Sequence, residues 1–211
     1  MKKEKISGLG AYQYLPPGYD LYEMVDLARD RKTLIGVNIS AAAIMIAMVV
    51  YAVLWEPRLR ACFDQGLPGF LGALALMLGG TGAYIVLHEL IHGIFIRFFS
   101  GEKARYGVEL SKGYAYAKSD YFFGKTAYII IALSPVVIWG IVLFVLMNEL
   151  PPQLFTSLFF IQAMNLGGAA GDYYVTWRIL RMPKGVLVID AGTSMKFFAP
   201  VNFEDDPAEN L

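Results

Sequence analysis

Four apolar runs, at 33–55, 67–99, 125–147 and 154–180, leave this chain few ways to fold. About 20 helical residues cross a hydrocarbon core of roughly 30 Å, and each run meets that length. Lipid offers no partner for backbone N–H and C=O groups, so a span of this kind has to satisfy them internally, as a helix does. The 211 residues are 56% hydrophobic and only 17% charged, too apolar for an ordinary soluble domain of this size. The expected fold class is an all-α polytopic membrane protein with four transmembrane helices. The formal net charge is zero, so there is no electrostatic footprint for a nucleic-acid partner. The single cysteine, Cys62, has no partner for an internal disulfide.

Around the spans, residues 1–32 form a polar N-terminal segment without the apolar core of a cleavable signal peptide, 33–184 the four-span domain, and 185–211 a tail. Leu21, Met24, Val25, Leu27 and Ala28 fit a short amphipathic helix at 21–29 lying on the membrane surface. Residues 104–118 read as a small β-hairpin. With Ser111, Lys112 and Gly113 as its turn, Leu110 faces Tyr114 and Val108 faces Tyr116. The tail offers two strand-like stretches, 186–190 and 195–199, before an acidic end at 204–211 that reads as disordered. Within the spans, Gly79, Gly80 and Gly82 suggest a bend or a close helix approach, and Pro135 a bend through its missing backbone donor.

Positive charge sets the expected orientation. Residues 1–32 hold six Lys and Arg, 97–125 another six, and 178–196 four, against two in the loop 56–66 and none in 148–153. Basic residues stay on the cytoplasmic side, so both termini and the hairpin are expected in the cytoplasm.

The second run contains both histidines of the chain, in His88-Glu89-Leu90-Ile91-His92. On a helix, residues four apart share a face, so the two imidazoles point at one spot with Glu89 beside it. This is the HExxH arrangement, in which the histidines bind zinc through ring nitrogens and the glutamate takes a proton from the attacking water. Ionisable groups in an apolar span are costly unless a partner or metal compensates them. A catalytic zinc site takes three protein ligands, and two histidines plus a carboxylate is a known set. His88 lies eleven residues before Phe99 and Asp172 nine before Arg181, so both sit roughly 13 to 17 Å in from the same side. Asp172 is therefore the candidate third ligand, its alternative use being an ion pair with Arg178. Asn165, in the same run, suits an interhelical hydrogen bond or a substrate contact equally. Two further readings use the same cluster: a cation transporter or proton relay, to which a homo-oligomer would add sites, and an inactive scaffold.

With HExxH on one span and Asn-x-x-Gly-x-x-x-Asp on a later one, the chain resembles the site-2 protease type of intramembrane metalloprotease. It resembles most the DUF3267 family of small bacterial membrane proteins, described as zincin peptidases. The likeness runs from about residue 74 to 180 and includes Leu133-Ser134-Pro135. It implies Zn2+ held by His88, His92 and Asp172, Glu89 as general base, Asn165 against an extended substrate backbone, a membrane-protein or peptide substrate, and a place in the bacterial cell membrane. Site-2 proteases commonly carry proline where Gly168 stands and glycine where Tyr173 stands, and this chain has no PDZ-like module.

Overall fold

The computed structural model describes residues 5–7, 10–26, 30–109, 114–192 and 194–201. Most of the described residues are helical. The elements run β1 (Lys5–Ser7), β2 (Ala11–Tyr12), β3 (Tyr19–Asp26), α1 (Arg31–Trp55), α2 (Gly66–Ser100), β4 (Arg105–Glu109), β5 (Tyr114–Lys118), β6 (Phe122–Gly124), α3 (Lys125–Glu149), α4 (Phe155–Gly168), α5 (Ala170–Leu180), β7 (Leu187–Asp190) and β8 (Ser194–Pro200). Four helical stretches, Arg31–Trp55, Gly66–Ser100, Lys125–Glu149 and Pro152–Leu180, are long and apolar enough to cross a membrane. Their ends follow local chemistry. Asp30 caps α1, its carboxylate accepting from the Lys32 amide at 3.1 Å and from the Thr33 hydroxyl. Gly101 closes α2 in the left-handed conformation, φ 78°, with its N–H on the Arg97 carbonyl.

The fourth stretch is not one helix. It breaks at Ala169, between α4 and α5, which starts Asp172 in the first turn of a new helix. The small residues serve close packing. A Cβ on Gly80 would meet Ile161 of α4 at 2.6 Å, and one on Gly167 would meet Met45 of α1 at 2.5 Å and the Ala41 carbonyl at 3.1 Å. Thus α2 runs unbroken through its glycines, and close approach is the role Gly80 fills. Many large apolar side chains on the outer faces, among them Ile39, Ile46, Leu54, Leu71 and Phe144, are exposed.

The expectation of an all-α protein with one hairpin needs correcting. Besides the β4–β5 hairpin there is a six-stranded sheet in the order β1-β2-β6-β7-β8-β3. Residues 19–26 form β3 rather than a surface helix, pairing antiparallel with β8 from Tyr19 opposite Pro200 to Asp26 opposite Ser194. Leu21, Met24 and Val25 fit one face of a short helix, and it is the pairing with β8 that decides for a strand. Residues 27–29 lie outside the described ones. Both tail strands are present, as β7 and β8. The hairpin is also present, with its register one residue away from expectation: Val108 pairs with Ala115 and Gly107 with Tyr116. The proposed turn at Ser111, Lys112 and Gly113, like the acidic end at 204–211, lies outside the described residues.

The sheet gathers the N-terminal strands, the segment after the hairpin and the tail at one end of the helix bundle, the end that the basic residues mark. Phe123, Ile179, Val186, Val188 and Phe197 are fully buried between sheet and helices. Each contributes about 1.5 to 3 kcal/mol of burial, which fastens the sheet to the helix ends.

Candidate metal centre

Tyr84, His88 and His92 follow one another at intervals of four along α2, so one stripe of that helix carries a phenol and two imidazoles. The His88 and His92 rings meet edge to face, 4.9 Å between centroids. The break at Ala169 brings Asp172 opposite them. His88 Nε2 lies 3.5 Å from Asp172 Oδ2, and His92 Nε2 lies 3.8 Å from Asp172 Oδ1. One ligand atom from each of the three residues lies within 4.8 Å of the other two. Arg178 does not compete for Asp172, because it pairs with Glu23 of β3.

The donor set fits a cation. His92 Nδ1 is 2.8 Å from the Ile131 carbonyl, which can only accept, so Nδ1 carries a proton and the neutral ring has its lone pair on Nε2. That lone pair faces a carboxylate oxygen at a distance too long for a hydrogen bond. Tetrahedral zinc with ligands at about 2.0–2.1 Å separates ligand atoms by roughly 3.3 Å. The two histidine-to-carboxylate distances, 3.5 and 3.8 Å, are within a few tenths of an ångström of that separation.

Beside the three ligands a cavity of about 130 Å³ opens toward the sheet end, lined by Glu89, His92, Asp172, Ala117, Tyr128 and Asp190 among others. Glu89 also receives a backbone hydrogen bond from Ala117 of β5. The hairpin is seated on α2 through Tyr106, whose ring packs where Gly93 has no side chain; a Cβ there would stand 1.8 Å from the hydroxyl oxygen. Desolvation by burial lifts the Asp190 carboxyl to about 6, even though Tyr128 and the Gly192 amide both donate to it.

Asn165 is fully buried. Its Nδ2 donates to the Val136 carbonyl at 3.1 Å and its Oδ1 accepts from the Tyr84 hydroxyl at 3.0 Å, while Tyr84 Oη stands 2.8 Å from His88 Nδ1. Its polar atoms are thus engaged within the bundle. Sequence reasoning missed Tyr84, although its spacing of four from His88 was visible. Nor does the sequence single out Asp190, because no local pattern shows that β7 folds back to the cavity.

Two imidazoles and a carboxylate converging on one point, with a glutamate next in sequence on the cavity wall, point to a metallopeptidase. Zinc is the ion that the family implies. The chain belongs to DUF3267, described as putative zincin peptidase, whose model matches residues 82–187, just over half the chain. No curated protein and no solved structure matches it.

Proposed function

We propose that the protein is a zinc-dependent intramembrane metalloprotease of the site-2 protease type, hydrolysing peptide bonds in or next to membrane-spanning segments. The observation that carries this reading is the convergence of His88, His92 and Asp172, with His92 Nδ1 engaged by the Ile131 carbonyl so that Nε2 faces the carboxylate. Four long apolar helical stretches, with exposed apolar outer faces on α1, α2 and α3, support insertion in a bilayer. The basic residues gathered at the sheet end support termini in the cytoplasm.

His88, His92 and Asp172 would hold the ion. Zinc, when bound, supplies Lewis acidity for the scissile carbonyl and lowers the pKa of a water toward 7. Glu89, on the cavity wall, takes the proton of the attacking water on its carboxylate and passes it to the leaving amine. Asn165 acts as a positioning residue. A helical substrate hides its carbonyls in its own hydrogen bonds, so it must be drawn out locally. Among the described residues β5 pairs only with β4, and Ala115 and Ala117 line the cavity, so an extended strand added along the other edge of β5 would lie beside Glu89, whose carboxylate takes the Ala117 N–H.

The test is Glu89→Gln in the full chain, with zinc content and cleavage of co-expressed single-span membrane proteins measured together. Zinc is expected to stay and cleavage to fall at least a hundredfold. Cleavage at the wild-type rate would refute the assignment of the base. Zinc that exchanges freely during purification would instead favour the transporter reading.

A further inference from the structure

We propose that α3 sets the tautomers of both histidines through two of its backbone carbonyls, and that Pro135 is the residue that releases one of them. The inference rests on the metallopeptidase reading and assigns Pro135, Tyr84 and Asn165 as positioning residues for the ion.

In an α-helix the N–H of residue i bonds the carbonyl of residue i−4, so position 135 would ordinarily occupy the Ile131 carbonyl. Proline has no N–H to give. An acceptor left unpaired inside a bundle is costly, and here it is not left unpaired. His92 Nδ1 donates to it at 2.8 Å and the Ser134 hydroxyl at 3.1 Å, which uses both lone pairs of the oxygen. The proline of α3 thereby turns a helical hydrogen bond into a support for His92.

His88 is reached by a longer chain whose direction is forced at every link. The Val136 carbonyl can only accept, so the nitrogen of the Asn165 amide must face it. The Asn165 oxygen therefore faces Tyr84 and takes the one proton of the phenol. With that proton committed, Tyr84 Oη can only accept from His88 Nδ1. His88 carries its proton on Nδ1 and presents the Nε2 lone pair toward Asp172. Each ring is thus held in the one tautomer that can ligate, by partners of the kind that orient metal-bound histidines and raise their basicity.

The experiment compares wild type, Pro135→Ala and Tyr84→Phe as full-length protein in detergent. Zinc affinity is read by competition with a chromophoric chelator, and thermal unfolding is read in excess chelator. Alanine favours a helix interior over proline, so Pro135→Ala is expected to unfold at the same temperature or higher while binding zinc about tenfold more weakly. Tyr84→Phe is expected to lose between ten- and a hundredfold in affinity. In the metal-free wild type at pH 8, imidazole nitrogen spectra are expected to place the proton of both rings on Nδ1. A proton on Nε2 of either ring, or zinc affinity within threefold of wild type in both variants, overturns the proposal and leaves the metallopeptidase reading standing. A wild type that binds no zinc overturns both.

Discussion

Replacing Asp172 with asparagine keeps the shape of the side chain and removes its charge, which separates a metal ligand from a structural carboxylate. Its oxygens lie 3.5 and 3.8 Å from the two Nε2 atoms, so it stands in the first coordination sphere of any ion placed between them. Loss of a partner one shell further out typically costs ten- to a hundredfold in metal affinity. Loss of a ligand should cost at least a hundredfold, about 3 kcal/mol. With zinc at a hundred times the wild-type Kd, binding adds about 2.7 kcal/mol to wild-type stability and about 0.4 kcal/mol to that of the variant. For a chain of this length the difference reads as a zinc-induced rise in Tm of roughly 5 to 10 °C in wild type against roughly 1 °C in Asp172→Asn. The assay is thermal unfolding in detergent with and without zinc, with His92→Ala as a variant that should behave alike. Without zinc the variant should be no less stable than wild type, because the carboxylate oxygens stand 3.5 and 3.8 Å from the two Nε2 atoms and make no hydrogen bond to them. A zinc-induced rise in Asp172→Asn equal to that of wild type would refute the ligand assignment. Lower stability without zinc would show that Asp172 serves the fold.

Gly93→Ala should lift Tyr106 off α2 and displace the hairpin, lowering cleavage about tenfold with zinc content unchanged; adding Tyr106→Ala to the same chain should restore cleavage. Gly167→Ala should separate α1 from α4 and cost about 1 to 3 kcal/mol, read as a lower Tm with zinc still bound. The Asp190 carboxyl, lifted from 3.8 to about 6 by burial, binds its proton more tightly folded than unfolded. Its contribution to stability is therefore complete below pH 4 and is lost as pH rises through 6, up to about 3 kcal/mol in all. Asp190→Asn should flatten that part of the profile of Tm against pH, and an unchanged slope would contradict the burial of this carboxylate.

Much of the helical framework was legible because its cause is local. A run of some 20 apolar residues can bury its backbone polar groups only as a helix, and the helices from Arg31, Gly66 and Lys125 begin within two residues of the expected spans. The spacing of His88 and His92 likewise put both rings on one face, because a helix repeats every 3.6 residues. The strands were harder. Residues 19–26 carry too short an apolar pattern to choose between helix and strand, and the choice rests with a partner some 170 residues further on.

What the chain determines by itself, then, is where helices run, which stripe carries the imidazoles and that Asp172 lies at their depth. Tertiary structure decided the rest: that Arg178 goes to Glu23 and leaves Asp172 to the histidines, that Asn165 is spent on Tyr84, and that the tail returns to wall the cavity with Asp190. The physical reason is one of range. Periodicity and hydropathy act within a few residues, whereas hydrogen-bond satisfaction in a buried site is settled by whichever groups the packed helices and the sheet bring within about 3 Å.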